Sequence, residues 1–432
     1  MILHPSFDTN EKGHLTVCGY DAVDLAKEHG TPAYILDTDA VRGMCRMYKR
    51  AFREHFGEDS FPVYAGKALC YKNLYRIITQ EGMFADCVSS GELYTASKAG
   101  FPMENVFFHG NNKTDYDLQY ALALGVGYIV VDSVDELNAL EAVCRETSMD
   151  ADILIRVTPG IDPHTHKKII TGSVDSKFGS AIETGQAMEI TELALSKERI
   201  HLKGFHCHVG SQIFDIEPFA DACSIMLGFI KTVRGRTGFE AAMLNIGGGF
   251  GVRYTDKDPE IDYEANIAAL GKRISALCLE LGVKKPALFM EPGRSIVAAA
   301  GATLYTCGSV KEIPGFRNYV SVDGGMPDNP RYALYQAEYT AVNASKAKDP
   351  AEYECTLGGR CCESGDLLAE GIKIAKPERG DIIAVLVTGA YNFSMASNYN
   401  RIPRPPVIEV SKEKVFCSVR RQTFTDITAL DI

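Results

Sequence analysis

The sequence predicts an α/β protein: a parallel (β/α)8 barrel of the TIM type and a second, mainly antiparallel β domain. Eight short, apolar, β-rich runs alternate with helix-like segments. The first four begin about 22 residues apart, which is close to the minimum for a strand, a loop and a helix. Chemically distinctive residues stand at the ends of the first, seventh and eighth runs, where a parallel barrel places its active site. An open, doubly wound sheet is the alternative.

The eight apolar runs are the predicted barrel strands, and they cover 61–67, 83–89, 105–110, 127–133, 152–159, 202–211, 243–249 and 288–293. Helices are predicted between them at 91–100, 115–124 and 134–145, where apolar residues fall at helical spacing. Gly100 suits a helix end because glycine tolerates the left-handed conformation. This alternation favours a parallel sheet.

The last third of the chain predicts a different architecture. It is rich in Val, Ile, Thr and Tyr and is broken by Gly and Pro, and 319–323 and 382–387 resemble strands without regular helices between them. The segment 33–37 precedes the barrel and could add a strand to this second domain, of β-sandwich or Greek-key barrel type. The expected domains are a barrel at 36–295 and a discontinuous β domain at 1–35 and 296–432.

Composition excludes several classes of protein. The 432 residues carry a formal charge of −11, which disfavours nucleic acid and anionic membranes as partners. No apolar run has the length of about 18 residues that a membrane span requires. The thirteen cysteines form no CxxC pair and no secretory signal is apparent. We therefore expect a reduced, cytoplasmic protein.

Lys67 ends the first predicted strand, after Phe61-Pro62-Val63-Tyr64-Ala65-Gly66. An amine at the end of a buried strand is poorly solvated and is easier to hold neutral, and a neutral amine can attack an aldehyde to form a Schiff base. The alternative is an ordinary surface lysine whose aliphatic stem lies along the protein. This segment alone does not decide between them.

Three glycines, Gly247, Gly248 and Gly249, follow the seventh predicted strand. Glycine lets backbone N–H groups converge on an anion, so this loop suits a phosphate, although a tight turn without a ligand is the alternative. The segment lacks the spacing and the lysine of a P-loop. It also lies too late in the chain for a dinucleotide fingerprint.

Glu291 and Arg294 stand at the end of the eighth predicted strand. The Glu291 carboxylate would point into the barrel mouth, and a carboxylate against a pyridine nitrogen keeps that nitrogen protonated. Arg294 could bind a phosphate or a carboxylate through two parallel hydrogen bonds; a surface ion pair is the alternative. An enzyme that uses pyridoxal 5'-phosphate (PLP) needs groups of this kind. The chain supplies them with Glu291 and Arg294 together with Lys67, the three glycines and the segment Cys362-Glu363-Ser364.

Two histidines, His206 and His208, alternate on the sixth predicted strand and would face the barrel interior together. They could bind zinc, but no suitable set of further ligands is evident, and the same holds for His164 and His166. We expect His208 to stack on a flat cofactor ring with Ser211 at its phosphate. Structural histidines are the alternative.

Asp86 and Glu92 flank the loop after the second predicted strand. Either carboxylate could orient the Lys67 amine or a histidine. The alternative is that they only stabilise a helix N-terminus, where negative charge is favourable.

With these residues assembled, the chain resembles the diaminopimelate decarboxylases, members of the alanine-racemase-like, fold type III family of PLP-dependent decarboxylases. The resemblance runs from about residue 30 to about residue 410. The stretches that carry it are His164-Thr165-His166, Thr171-Gly172, Ser176-Lys177-Phe178-Gly179, His206-Cys207-His208-Val209-Gly210-Ser211-Gln212, Cys362-Glu363-Ser364-Gly365-Asp366 and Ser394-Met395-Ala396-Ser397-Asn398-Tyr399-Asn400.

The resemblance implies a role for each matching residue, and no metal. Lys67 would bind the cofactor covalently, and Cys362 would be the catalytic proton donor. Cys362 is preferred to its neighbour Cys361 because it directly precedes Glu363-Ser364. The expected cofactor-binding residues are Lys67, Asp86, His208, Ser211, Gly248, Gly249, Glu291, Gly293, Arg294 and Tyr391. The expected substrate-binding residues are Arg294, Arg331, Tyr335, Glu363 and Tyr391.

The resemblance also implies an obligate homodimer with active sites at the subunit interface, because relatives supply the Cys–Glu pair from the second subunit. Arg331 suits a substrate with a distal carboxylate, so we expect decarboxylation of meso-2,6-diaminopimelate to L-lysine, the last step of lysine biosynthesis. The nearest alternative is a decarboxylase of ornithine, arginine, D-lysine or carboxynorspermidine. A racemase, or a binding protein that has lost catalysis, is less consistent with Glu291 and with the presence of Lys67 and Cys362.

Overall fold

The computed structural model describes residues 4–160 and 176–432 of the chain. The predicted motif residues His164, Thr165, His166, Thr171 and Gly172 lie outside the described residues.

The strands are β1 (Phe7–Thr9), β2 (Leu15–Val17), β3 (Tyr20–Asp21), β4 (Ala33–Asp37), β5 (Phe61–Ala65), β6 (Phe84–Cys87), β7 (Val106–Phe108), β8 (Tyr128–Val131), β9 (Ala151–Thr158), β10 (Ser180–Ala181), β11 (Ile200–His206), β12 (Met243–Asn245), β13 (Ala287–Met290), β14 (Gly301–Glu312), β15 (Asn318–Val322), β16 (Ala341–Asn343), β17 (Tyr353–Gly358), β18 (Leu367–Ile374), β19 (Ile382–Leu386), β20 (Val407–Val410) and β21 (Val415–Val419).

The α-helices are α1 (Ala22–His29), α2 (Thr38–His55), α3 (Lys72–Gln80), α4 (Ser90–Ala99), α5 (Asp115–Ala123), α6 (Val134–Thr147), α7 (Gln186–Leu195), α8 (Glu217–Thr237), α9 (Tyr263–Leu281), α10 (Arg294–Val297), α11 (Arg331–Tyr335) and α12 (Phe424–Thr428). Short 3-10 helices cover Gly66–Ala68, Met103–Asn105, Ala344–Lys346, Phe393–Met395 and Tyr399–Arg401.

A closed ring of parallel strands confirms the predicted barrel. The order is β5-β6-β7-β8-β9-β11-β12-β13, and β13 pairs with β5 to close the ring; the short β10 lies beside β9. Each of the eight predicted runs overlaps one of these ring strands. Inward-facing apolar side chains fill the interior, which packs as a core and not as a pore. One buried apolar cluster comprises Val63, Phe107, Val130, Leu154, Met243 and Phe289.

The predicted helices between the early strands are also confirmed, and their ends follow local sequence signals. The Ser89 hydroxyl caps α4 by accepting the Glu92 N–H at 3.2 Å, and Gly100 ends that helix with φ +80°. Thr114 and Asp117 form a capping box at the start of α5. These caps fix where each helix begins or ends.

Several strands end earlier than the sequence predicts, and this corrects two placements. Lys67 does not end β5; it lies in the 3-10 helix Gly66–Ala68 that directly follows the strand. His208 is not on β11, which ends at His206. The period-two argument that placed both histidines on one strand face was therefore wrong for His208, because the backbone leaves the ladder to form the loop that contains Ser211.

The second domain is a mainly antiparallel β structure, as predicted. One sheet has the order β18-β17-β15-β14-β4-β20-β21, with β19 paired to β14 and β16; β1, β2 and β3 form a separate small sheet. Most pairs are antiparallel, but β15–β17 and β4–β20 are parallel. The predicted strand 33–37 is β4, and it lies between strands from the far end of the chain.

Packing divides the chain into two compact units. The barrel unit comprises the described residues of Met44–Gly251 together with Ile261–Gly293. The β unit comprises the described residues up to Gly43, Val252–Glu260 and Arg294–Ile432. The domain boundaries proposed from the sequence stay a prediction; Val252–Glu260, inside the predicted barrel range, packs with the β unit.

All thirteen cysteines lie in the described parts of the chain, and each is a free thiol. Among the described residues, no helix combines the length and the hydrophobicity that crossing a bilayer would require.

Candidate active site

Glu291 is the centre of a buried polar cluster at the carboxyl ends of the barrel strands. It directly follows β13, and Asn245 at the end of β12 donates its amide N–H to Glu291 Oε1 at 2.7 Å. His206, at the end of β11, places Nε2 3.3 Å from the same oxygen. His109, which follows β7, places Nε2 2.9 Å from it, though without hydrogen-bond geometry.

The surroundings of Glu291 keep it ionised. Burial raises the pKa of this carboxyl, but the imidazoles of His109 and His206 more than reverse that effect and hold its pKa well below the usual range. Burial lowers the pKa of His206 to about 4 and also lowers that of His109. The cluster therefore combines the Glu291 carboxylate with two imidazoles and an amide donor.

The ligand atoms of His109, His206 and Glu291 lie within 4.8 Å of one another, so these three residues could in principle bind a metal ion. Asn245, however, donates its amide hydrogen to the Glu291 oxygen that lies nearest both histidines. An amide donor competes with a cation for that oxygen. The arrangement suits a partner that itself carries an N–H, such as a protonated aromatic ring nitrogen, better than a metal ion.

Lys67 lies exposed immediately beyond β5, next to a buried acid. Asp86 on β6 is buried, and its Oδ1 accepts the Gly66 N–H at 2.9 Å. Burial raises the pKa of Asp86 well above its usual value and Glu291 adds to the increase, whereas the nearby Lys67 ammonium opposes it. Burial likewise raises the pKa of Glu92, and Lys67 again acts in the opposite direction. Both predicted acids therefore interact electrostatically with the Lys67 amine.

The glycine loop after β12 leaves no room for side chains. Gly249 has φ +131°, and a Cβ atom there would lie 2.5 Å from the Gly210 carbonyl oxygen. A Cβ atom on Gly248 would overlap the Glu291 carbonyl oxygen. The Gly249 carbonyl accepts the Ile213 N–H at 2.9 Å, which fastens this loop to the one that contains Ser211. Two close-packed loops rich in glycine are the form of a phosphate cradle.

His208 and Gly293 complete the barrel residues expected to bind a cofactor. Burial, and after it the Lys67 ammonium, lower the pKa of His208 well below its ordinary value, so this imidazole is neutral. A Cβ atom on Gly293 would lie 2.7 Å from the Cβ of Ala65 at the end of β5. This glycine lets the chain pass close to β5 directly before Arg294.

Two buried arginines of the β unit share one tyrosine hydroxyl. Tyr254 Oη accepts hydrogen bonds from Arg294 Nη1 at 2.6 Å and from Arg331 Nη1 at 3.1 Å. Arg331 Nη1 also donates to Tyr339 Oη at 2.7 Å. The guanidinium of Arg294 lies 4.7 Å from the centre of the Tyr391 ring. The structure therefore brings together three of the predicted residues, Arg294, Arg331 and Tyr391.

These contacts keep positive charge concentrated in a buried place. Burial raises the pKa of Tyr254, but Arg294 and Arg331 outweigh it and lower the pKa below the usual value. Burial lowers the pKa of the Arg331 guanidinium, but the hydroxyls of Tyr339 and Tyr254 more than reverse this and raise it above the ordinary value. Arg331 therefore stays charged, and a carboxylate or phosphate would be attracted to this pair of guanidinium groups.

Tyr335 lies on α11, one helical turn beyond Arg331, and is half-buried. Cys362 and Glu363 are exposed on the loop between β17 and β18. Cys361 is half-buried, and burial, with Asp366 next in importance, raises the pKa of its thiol to about 12. A thiol with so high a pKa is a poor acid near neutral pH, which favours the choice of Cys362 over Cys361 as proton donor.

Sequence reasoning missed several residues of these clusters. His109 and Asn245 stand at strand ends, the same criterion that selected Lys67 and Glu291, so the signal was present but was not applied to them. Tyr254 and Tyr339 bind the arginines from segments that gave no comparable signal. Only the folded chain brings them to Arg331.

Comparisons with known proteins agree with this chemistry. Residues 41–298 match the family described as "Pyridoxal-dependent decarboxylase, pyridoxal binding domain". The diaminopimelate decarboxylase of Bacillus subtilis strain 168 is 43% identical over 432 residues, which are 100% of this chain and 98% of the relative.

Solved structures extend the comparison. The diaminopimelate decarboxylase of M. jannaschii in complex with L-lysine has a TM-score of 0.92 at 34% identity, covering 100% of this chain and 99% of that one. A lysine/ornithine decarboxylase of Vibrio vulnificus complexed with putrescine has a TM-score of 0.75 at 26% identity, covering 91% and 99%.

Proposed function

Since the chain belongs to the diaminopimelate decarboxylases of the pyridoxal-dependent decarboxylase family, we propose that it converts meso-2,6-diaminopimelate to L-lysine and CO2, the last step of lysine biosynthesis. The observation that carries the choice of substrate is Arg331, which is buried, charged and oriented by two tyrosine hydroxyls. Such a group suits a distal carboxylate, which ornithine and lysine lack. The lysine product is consistent with the ligand of the M. jannaschii relative.

PLP is the cofactor of this family, and the residues present fit it. The ionised Glu291 accepts a hydrogen bond, the glycine loop packs against the loop that contains Ser211, and the Lys67 charge acts on Asp86. The residues that would hold the cofactor are Lys67, Asp86, His208, Ser211, Gly248, Gly249, Glu291, Gly293, Arg294 and Tyr391. When bound, PLP supplies an electron sink for the pair released as CO2 leaves.

Each protein group then has a definite task. Lys67 would hold the cofactor through its amine, and Asp86 would orient that amine. Glu291 would keep a proton on the cofactor ring nitrogen, a state that favours decarboxylation over racemisation because the ring then withdraws electrons strongly. His208, being neutral and uncharged, would pack against the ring without competing for that proton.

The distal end of the substrate would be held by three side chains. Arg331 and Tyr335 would bind the distal carboxylate, and Glu363 would bind the distal ammonium group. Arg294 and Tyr391 would complete the binding site. A substrate lacking the distal carboxylate would leave the buried Arg331 charge unmatched, which is costly.

We also propose that the chain is a homodimer in which Cys362 and Glu363 reach the substrate bound in the other subunit. The support is that both residues are exposed on a loop, whereas the other substrate-binding residues Arg294 and Arg331 are buried. Thirteen free thiols suit a reducing compartment, so we place the dimer in the cytoplasm.

The function is tested by measuring CO2 release from purified protein with added PLP. The compared substrates are meso-diaminopimelate, L-lysine, L-ornithine, L-arginine and D-lysine. We expect release from diaminopimelate alone. Release from another of these amino acids would keep the family and the cofactor but would overturn the assignment of the distal carboxylate to Arg331.

The proton donor is tested by two single substitutions at adjacent positions. Cys362→Ala should lower kcat by about 100-fold or more, because general acid catalysis contributes about 10²- to 10⁴-fold. Cys361→Ala is the matched control, since it removes an equal thiol whose pKa of about 12 makes it a poor proton donor. Steady-state CO2 release distinguishes them, and a larger loss for Cys361→Ala would transfer the role to that residue.

A further inference from the structure

We propose that Asn400 is a positioning residue that sets the place of the Cys362 thiol. Its side-chain Oδ1 accepts the backbone N–H of Cys362 at 3.0 Å, across 38 residues of sequence. The inference rests on the proposed role of Cys362 as proton donor. It also gives a function to the motif Ser394–Asn400, which no cofactor or substrate contact has explained.

The backbone at Asn400 is suited to this residue type. Asn400 has φ 51° and ψ 24°, in the left-handed region that asparagine tolerates better than most residues. The short amide side chain then reaches the neighbouring loop directly from a tight turn. A residue at this position must both accept the left-handed conformation and offer an oxygen acceptor.

The segment that carries Asn400 is itself anchored. The Ser397 N–H donates to the Pro327 carbonyl at 2.8 Å. Asn398 Nδ2 donates to Gln422 Oε1 at 2.6 Å and to the Ile402 carbonyl at 2.9 Å. These hydrogen bonds hold the backbone around Asn400 in place and so fix the position of its side-chain oxygen.

The Cys362 loop is held from its other side by Asp366, which is buried. Its Oδ2 accepts the Cys361 N–H at 2.7 Å, and its Oδ1 accepts the Met326 N–H at 2.6 Å. The N–H groups of the two adjacent cysteines thus go to two different side chains. Asp366 fixes where the exposed turn begins, and Asn400 fixes the direction in which it continues at Cys362.

The chemistry needs this precision. In the proposed step the S–H bond of Cys362 breaks and a C–H bond forms at the carbon that has lost CO2, using the electron pair left behind; the thiolate then regains a proton from solvent. A displacement of about 1 Å can lower such a rate by about 100-fold. Arg331 is held by Tyr254 and Tyr339, contacts that do not involve Asn400, so substrate binding should not depend on this residue.

The test compares two substitutions at the same position. Asn400→Gly retains a left-handed backbone but removes the acceptor, and it should lower kcat by about 10- to 100-fold with KM unchanged. Asn400→Asp keeps an oxygen acceptor and should restore most of the rate. Ser148→Gly is the control for a glycine at a left-handed position, since Ser148 has φ 56° at the end of α6, and it should match the wild type.

Two further measurements distinguish positioning from general loss of structure. In D2O the wild type should place deuterium on one face of the reacting carbon, and Asn400→Gly should give a mixture of both product stereoisomers. Adding Asn400→Gly to Cys362→Ala should lower kcat no further, because both changes remove the same proton delivery. Unchanged stereochemistry together with an additive loss would overturn the proposal. Failure of the proposed function itself would show differently, as a wild type that releases no CO2 from diaminopimelate.

Discussion

Replacement of Lys67 by alanine is expected to abolish both cofactor retention and decarboxylation. The amine lies directly beyond β5, and its charge affects the pKa values of Asp86, Glu92 and His208. Loss of a covalent catalytic group costs roughly 10⁴- to 10⁶-fold in kcat in other enzymes, and we expect a loss in that range here.

The measurement is the visible absorbance of bound PLP after gel filtration, followed by CO2 release. Lys72→Ala is a suitable control, because Lys72 is exposed at the start of α3, a few residues beyond Lys67. The control should retain both the absorbance and the rate. A Lys67→Ala protein with wild-type absorbance and turnover would assign the covalent role to another amine.

Replacement of Arg331 by alanine is expected to change which substrate the enzyme accepts. A site built to pair with a polar group rejects analogues without it by about 10⁴- to 10⁵-fold, since its buried groups are then left unmatched. The wild type should therefore prefer diaminopimelate over lysine by about that ratio. Without the guanidinium, kcat/KM for diaminopimelate should fall, whereas kcat/KM for lysine should rise. The ratio of the two values should therefore decrease by about 100-fold or more.

The assay is kcat/KM for both substrates with each variant. Arg420→Ala is the matched control, because Arg420 is an exposed arginine of the same unit that pairs with Asp426. Arg331→Lys should not restore the preference, because an ammonium group lacks the planar fork that binds a carboxylate through two bonds. A variant that loses activity on both substrates in equal proportion would mean that Arg331 supports the fold and not the specificity.

The fold was predictable because its signals are local. Each barrel strand is an apolar run, and each early helix carries its own caps, so periodicity and capping residues were sufficient to place β5 to β9 and α4 to α6. Lys67 and Glu291 were found for a similar reason, since parallel strands bring their carboxyl ends to one face and a charged residue there is conspicuous.

The missed residues depend on tertiary contacts. His208 was placed on a strand because alternation continues past His206, and nothing local shows that the ladder stops there. Tyr254 lies in a short segment that leaves the barrel unit and packs with the β unit, and its two arginine partners come from distant parts of the sequence. Such pairings are fixed by tertiary packing. Residue spacing and secondary-structure propensity carry no information about them.

The parallel pairing of β4 with β20 has a consequence for the order in which the protein can be completed. Residues 33–37 are synthesised long before their partner Val407–Val410, which lies about 370 residues further along the chain. Until then one edge of β4 has no neighbour from β20, and closing so large a loop is entropically slow. The arginines and the Cys362 loop belong to the same late-forming unit. A growing chain on the ribosome therefore has the residues of the barrel before it has Arg331 and Cys362, and the β unit is complete only after Val407–Val410 has been made.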